Sequence, residues 1–134
     1  MAEFRKVTDS FSVAPQIASE DLARAAAMGF RTVINNRPDF EEPGQPEGEA
    51  LAQAARAAGL TYVAVPVRGR PTAEQAEAVR AAVAEADGPV LAWCKSGTRS
   101  IMTWAMGQAA SGERSREELL SLGAGAGYDL SPVV

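Results

Sequence analysis

One cysteine, Cys94, and one arginine, Arg99, stand in the run Trp93-Cys94-Lys95-Ser96-Gly97-Thr98-Arg99-Ser100, with four residues between them. The apolar residues Pro89-Val90-Leu91-Ala92 precede this run, and Ile101-Met102-Thr103-Trp104-Ala105-Met106 follows it. The pattern predicts a strand, a tight loop and a helix. A loop closing on a helix N-terminus turns backbone N–H groups toward its centre and makes a nest for an oxyanion or a thiolate. Gly97 supplies the backbone freedom such a turn needs. Cys94 is the candidate nucleophile and Arg99 the candidate clamp for an anion. Lys95, Ser96, Gly97 and Thr98 form the anion-binding loop. Ser100 is placed to donate its hydroxyl to the sulfur. A free thiol is only a few per cent ionised at neutral pH, and a helix N-terminus with a neighbouring cation raises that fraction many-fold. The plainer alternative is an inert buried thiol beside a glycine turn.

The chain contains no histidine. A Ser-His-Asp triad and a Cys-His pair are therefore excluded, and any proton donor must be Asp, Glu, Lys, Tyr or water. One cysteine without histidine makes no zinc site, so no metal is expected. No cofactor is expected either. A single cysteine cannot form an internal disulfide and suits a reducing compartment.

These groups need a frame, and the rest of the chain alternates strand and helix. Short strands are predicted at Arg5 to Val7 and Phe11 to Val13. Ser19 is the expected N-cap of a helix from Glu20 to Met28 that stops at Gly29. Thr32-Val33-Ile34-Asn35 is a β-branched strand. A polar loop from Asn36 to Pro46 holds three prolines and is not expected to contribute core. A second helix runs from about Glu47 to Ala58, and a strand follows from Thr61 to Val67. Thr72 and Gln75 form a capping box for a helix reaching about Ala86. The strand ending at Cys94, a helix from Ser100 to about Ala110 and a last helix from Ser115 to Leu122 complete the pattern. The tail from Gly123 to Val134 is read as an irregular cover, in which Tyr128 and Asp129 either pack over the site or terminate a helix.

Repeated βα units imply an α/β fold: a single three-layer domain over 1–134, with a mostly parallel sheet and helices on its faces. Sites in such sheets lie beyond the carboxyl ends of the strands. The loops Asn36 to Pro46, Arg68 to Pro71 and Cys94 to Arg99 emerge there. Arg37 and Arg68 are expected at the mouth, drawing in an anion. Asp39 is the candidate general acid, with Glu41 and Glu42 behind it.

The net charge of −4 at pH 7 speaks against a nucleic-acid partner. No apolar run approaches the ~20 residues of a membrane span, and the first residues lack the apolar core of a signal peptide. A cytoplasmic location is the expectation.

Four segments together resemble a known family: Val33-Ile34-Asn35-Asn36-Arg37-Pro38-Asp39, Glu42-Pro43-Gly44-Gln45-Pro46, Cys94-Lys95-Ser96-Gly97-Thr98-Arg99-Ser100 and Gly127-Tyr128-Asp129-Leu130. The resemblance is to the phosphatase-like domain of β-lactamase-hydrolase-like proteins, also described as a sulfur transferase family, and runs from Phe4 to about Leu130. It implies a cysteine-phosphatase-like fold, with a central sheet of four or five strands flanked by helices. The sequence departs from cysteine phosphatases in three places. Their cysteine and arginine are separated by five residues, where this loop has four. Their usual histidine before the cysteine is Trp93 here. Their acid-bearing loop reads Val67-Arg68-Gly69-Arg70-Pro71, with no carboxylate. A four-residue Cys-x-Ser-Gly-x-Arg loop is similar to that of rhodanese-type sulfurtransferases.

Two reactions therefore compete. In sulfur transfer, Cys94 takes the outer sulfur of thiosulfate or a persulfide, becomes a persulfide and hands the sulfur to a thiol acceptor. The leaving group needs no strong acid. In phosphatase chemistry Cys94 attacks phosphorus, forms a phosphocysteine, and a general acid protonates the leaving alkoxide. The acid-free loop favours sulfur transfer. The alternatives are a phosphatase acting on a phosphoester and a non-catalytic module that binds an anion or a partner. For both reactions the substrate is a small anion.

Overall fold

The computed structural model describes residues 1–134. Strands β1 (Arg5–Thr8) and β2 (Phe11–Ala14) form an antiparallel hairpin around Asp9 and Ser10. There follow α1 (Ser19–Ala27), β3 (Thr32–Asn35), α2 (Gly48–Ala57), β4 (Thr61–Ala64), α3 (Ala73–Glu85), β5 (Val90–Trp93), α4 (Thr98–Ser111) and α5 (Arg116–Gly125). The sheet order is β1-β2-β5-β3-β4, and every pair except β1–β2 is parallel.

Period-two alternation along the central strands builds two cores. On β5, Val90 and Ala92 face a cluster with Ile34, Phe11, Val13, Ile101 and Trp104. Leu91 and Trp93 face the opposite cluster with Val33, Leu22 and Leu51. Helices α1 and α2 cover the second face, and α3, α4 and α5 the first, so three layers result. Both central strands are buried along their whole length, as parallel strands covered on two faces must be. Trp104 stacks on Phe11 with ring centroids 5.1 Å apart.

The α/β, mostly parallel frame agrees with the expectation from sequence. Local differences have identifiable causes. The N-cap of α1 is Ala18, not Ser19, because Asp21 reaches back and accepts from the Ala18 N–H at 2.9 Å. β4 stops at Ala64 rather than Val67, since Pro66 has no N–H to donate. The chain beyond it still follows its neighbour: Val65 N–H donates to Asn35 O and Val67 N–H to Asn36 O. The Thr72–Gln75 capping box is present. α5 continues through Gly123 to Gly125, into the stretch expected to be irregular. The Asn36–Pro46 loop does contribute core, because Asn36 is 0 % and Arg37 4 % exposed. No helix is long and apolar enough to cross a membrane.

Four chain segments meet beyond the carboxyl ends of the parallel strands. The Gln16 N–H donates to Lys95 O, the Asn36 N–H to Trp93 O, and the Val67 N–H to Asn36 O. These backbone bonds tie the segments after β2, β3, β4 and β5 into one surface.

Candidate active site

Cys94 is the first residue past β5 and is fully buried. The chain then turns at Gly97, whose φ of 90° lies in the left-handed region, and enters α4 at Thr98. The Gly97 N–H points back and donates to Cys94 Sγ at 3.2 Å. The turn is tightened by Ser96, whose hydroxyl donates to Thr98 Oγ1 at 2.9 Å. The first N–H groups of α4 have no partner within the helix, so its positive end faces the loop. Lys95 is exposed and pairs with Glu42 at 3.5 Å.

Arg99 lies in the first turn of α4. Its Nη1 donates to Glu41 Oε2 at 2.7 Å and to Val67 O at 2.8 Å, and its Nη2 donates to Glu41 Oε1 at 2.9 Å. A guanidinium has five N–H donors in a rigid fork. Three are committed here. The two left are the Nε–H and the second Nη2 N–H, which lie side by side on one edge. Glu41 and, against the opposing effect of burial, Cys94 push the Arg99 guanidinium above its ordinary value. The free edge is thus a two-donor fork, a geometry matched to two oxygens of a tetrahedral anion.

Glu41 is itself gripped from behind. Arg37 Nε donates to Glu41 Oε1 at 2.9 Å, its Nη2 to Glu42 Oε1 at 2.7 Å, and its Nη1 to Gln16 Oε1 at 3.1 Å. The Glu41 carboxyl is lowered to about 2, first by Arg99 and then by Arg37, with burial opposing. Burial alone would lower the Arg37 guanidinium, but Glu41 and Glu42 reverse this and it is raised. The loop carrying Glu41 is closed by Gln45, which accepts from the Glu41 N–H at 3.0 Å and donates to Pro38 O at 2.8 Å. Phe40, between them, is held at a φ of 64°, a strained conformation for an aromatic residue.

The structure therefore gathers Cys94, Lys95, Ser96, Gly97, Thr98 and Arg99 as the spacing predicts, and redistributes the other candidates. Arg37 is not a mouth group. Its side chain is 3 % exposed and serves as the inner brace of Glu41. Arg68 is exposed and lines a cavity of about 350 Å³ with Asp39, Tyr62 and Asn35. Asp39 accepts from the Gly48 N–H at 2.8 Å, satisfying a free donor at the start of α2, and makes no hydrogen bond to the cysteine loop. Ser100 does not donate to the sulfur. Asn36 Nδ2 donates to Val65 O, so Asn36 Oδ1 is the acceptor, and the Ser100 hydroxyl gives its proton to it at 2.7 Å.

Three residues carry more of the site than their types suggest. Gln16 joins Arg37 to the Lys95 backbone. Asn36 joins Ser100 to the segment after β4. Glu41 holds Arg99. The available signal was a polar residue directly after an apolar strand, as at Asn36. Nothing local in the sequence marks Gln16. No group of three or more Cys, Asp or Glu side chains converges in a metal-binding arrangement.

Comparison with known proteins places this geometry. Residues 3–111 match the family model described as the phosphatase-like domain of the β-lactamase hydrolase-like protein. A β-lactamase hydrolase-like protein of Xylella fastidiosa (strain Temecula1) is 39% identical over 129 residues, covering 96% of this chain and 30% of that protein. The chain thus spans about a third of the length of such relatives. A crystal structure of a candidate phosphatase from Neisseria meningitidis Z2491 superposes with a TM-score of 0.83 at 32% identity, covering 96% of this chain and 91% of that one. A variant of TpbA from P. aeruginosa, solved in complex with phosphotyrosine, superposes with a TM-score of 0.64 at 17% identity, covering 95% and 80%. The last likeness is one of fold alone, and with the others it makes the fold cysteine-phosphatase-like.

Proposed function

This chain belongs to the family of the phosphatase-like domain of β-lactamase hydrolase-like proteins, and from that premise we propose that it is a cysteine-dependent phosphomonoesterase acting through Cys94. The observation that supports this most is the free Nε/Nη2 edge of Arg99, left by the commitment of its other donors to Glu41 and Val67 O. The Cys94 thiolate attacks phosphorus and forms the S–P bond as the ester P–O bond breaks. Arg99 and the loop N–H groups hold the equatorial oxygens as charge builds on them. Water then cleaves the S–P bond, releasing inorganic phosphate and restoring the thiolate.

The leaving oxygen sets the substrate class. Glu41 is ionised between two arginines and Asp39 is engaged at α2, so neither carboxyl is ready to donate a proton. A phenolate, whose conjugate acid has a pKa of about 10, leaves far more readily without help than an alkoxide. Aryl phosphates, phosphotyrosine among them, are the expected substrates. The phosphotyrosine complex of the structural neighbour is compatible with that class.

Sulfur transfer is the second reading, favoured by the four-residue loop and by the same lack of a ready acid. There Cys94 attacks the outer sulfur of thiosulfate, a disulfur bond forms, sulfite leaves, and a thiol acceptor later removes the sulfur. Parallel assays decide. Wild type and Cys94→Ser are given an aryl phosphate, and separately thiosulfate with a thiol acceptor. Phosphate release lost in Cys94→Ser supports the phosphatase. Cys94-dependent sulfite release without phosphate release transfers the assignment to sulfur chemistry. No turnover in either assay, with anion binding retained, leaves a binding module.

A further inference from the structure

Tyr128 lies in the tail after α5, half-buried, and its hydroxyl donates to Ser96 O at 2.9 Å. The Ser96 carbonyl and the Gly97 N–H belong to one planar trans peptide, so they point in opposite directions. The Gly97 N–H is the group that donates to Cys94 Sγ. Fixing the carbonyl outward therefore fixes the N–H inward. The loop does not enforce this choice by itself, because glycine adopts either sign of φ with little penalty. We propose that Tyr128 is a positioning residue for the nucleophile: its hydroxyl turns the Ser96–Gly97 peptide so that the Gly97 N–H is held on the Cys94 sulfur.

The tyrosine is well placed for this. The Tyr128 N–H donates to Gly123 O at 2.8 Å, which fixes the turn after α5. Leu130, 1 % exposed, packs on Gly123, where any side chain would strike it. The Arg5 guanidinium lies over the Tyr128 ring at 5.4 Å. Burial raises the Tyr128 phenol above its ordinary value, with Arg5 opposing, so the hydroxyl keeps its proton and stays a donor. A Cβ on Gly97 would run into the Tyr128 hydroxyl, which shows how closely tail and loop fit.

This inference rests on Cys94 as the nucleophile, but not on which anion it attacks. Its test needs no substrate. Tyr128→Phe keeps the ring and removes only the hydroxyl. A hydrogen bond to a charged acceptor that is lost should slow Cys94 alkylation by iodoacetamide about tenfold near pH 6, with the rates converging near pH 10. The Gly97 amide resonance should follow ionisation of Cys94 in wild type and lose that response in the variant. The melting temperature controls for folding. If Tyr128→Phe unfolds, the amide resonance of Gly97 in wild type still decides, because a Gly97 N–H that ignores Cys94 ionisation overturns the proposal. An unchanged alkylation profile in folded Tyr128→Phe overturns it too, whichever reaction the enzyme performs.

Discussion

Glu41 grips Arg99 end-on: both carboxylate oxygens accept from the terminal nitrogens of the guanidinium, at 2.7 and 2.9 Å. The contact leaves the adjoining Nε/Nη2 edge of Arg99 as the one the proposed function offers to an incoming anion. Glu41 is consequently a positioning group, and its own orientation comes from the buried Arg37. Replacing it with glutamine keeps the shape and one acceptor but removes the charge. Glu41→Gln should lower kcat/KM for an aryl phosphate about tenfold or more, as expected when a charge-assisted bond is weakened. Steady-state kinetics with the fold checked by circular dichroism measures this. Unchanged kinetics would remove Glu41 from the machinery.

The same pair sets an acid limit. The Glu41 carboxyl stands at about 2 in the folded protein against an ordinary 4.5. A carboxyl depressed by folding contributes stability that is fully present above its unfolded value and lost as pH falls through the folded one. That contribution is thus retained at neutral pH and fades between about 4.5 and 2. Urea melts across this range should show a smaller loss of stability on acidification in Glu41→Gln than in wild type. Parallel curves for the two proteins would contradict the linkage.

Arg99→Lys should be nearly as damaging as Arg99→Ala. An ammonium has three donors against five, and cannot give two bonds to Glu41, one to Val67 O and two to an anion. Removing a preorganised oxyanion donor costs about 10² to 10³ in kcat. A lysine variant with activity within a few fold of wild type would mean that charge alone suffices, and that the fork is not what the site uses.

Asp39 should behave as a helix-start acceptor rather than as an acid. Asp39→Asn retains an oxygen for the Gly48 N–H, and its turnover should stay within about tenfold of wild type, below the usual general-acid contribution. Asp39→Ala should cost about 0.5–2 kcal/mol in stability. A hundredfold kinetic loss in the asparagine variant, largest for alkyl phosphates, would restore Asp39 as the acid.

Ser100→Ala removes the hydroxyl donor to Asn36 Oδ1 in a fully buried setting. An acceptor stranded away from water costs about 1–3 kcal/mol. The expected signature is a lower melting temperature with kcat changed less than in the Arg99 variants. A stable variant with collapsed kcat would return Ser100 to direct chemistry at the sulfur.

Much of this protein is fixed by local sequence. The strand-loop-helix around Cys94 follows from an apolar run, a glycine and a helical run in immediate succession, and these are short-range constraints. The Thr72–Gln75 cap and the β-branched Thr32–Asn35 strand are of the same kind. The partners of Ser100, Glu41 and Tyr128 are different, because they lie far away in the chain. Glu41 and Arg99 are 58 residues apart, Asn36 and Ser100 are 64, and Ser96 and Tyr128 are 32. Which carboxylate meets the arginine, and which acceptor takes the Ser100 hydroxyl, depends on the sheet order that sets β5 between β2 and β3. Spacing in the chain marked Cys94 as the candidate nucleophile and outlined its loop. Only tertiary packing selected their partners, because a side chain's hydrogen bond is decided by distances of a few tenths of an ångström between segments that sequence alone does not bring together.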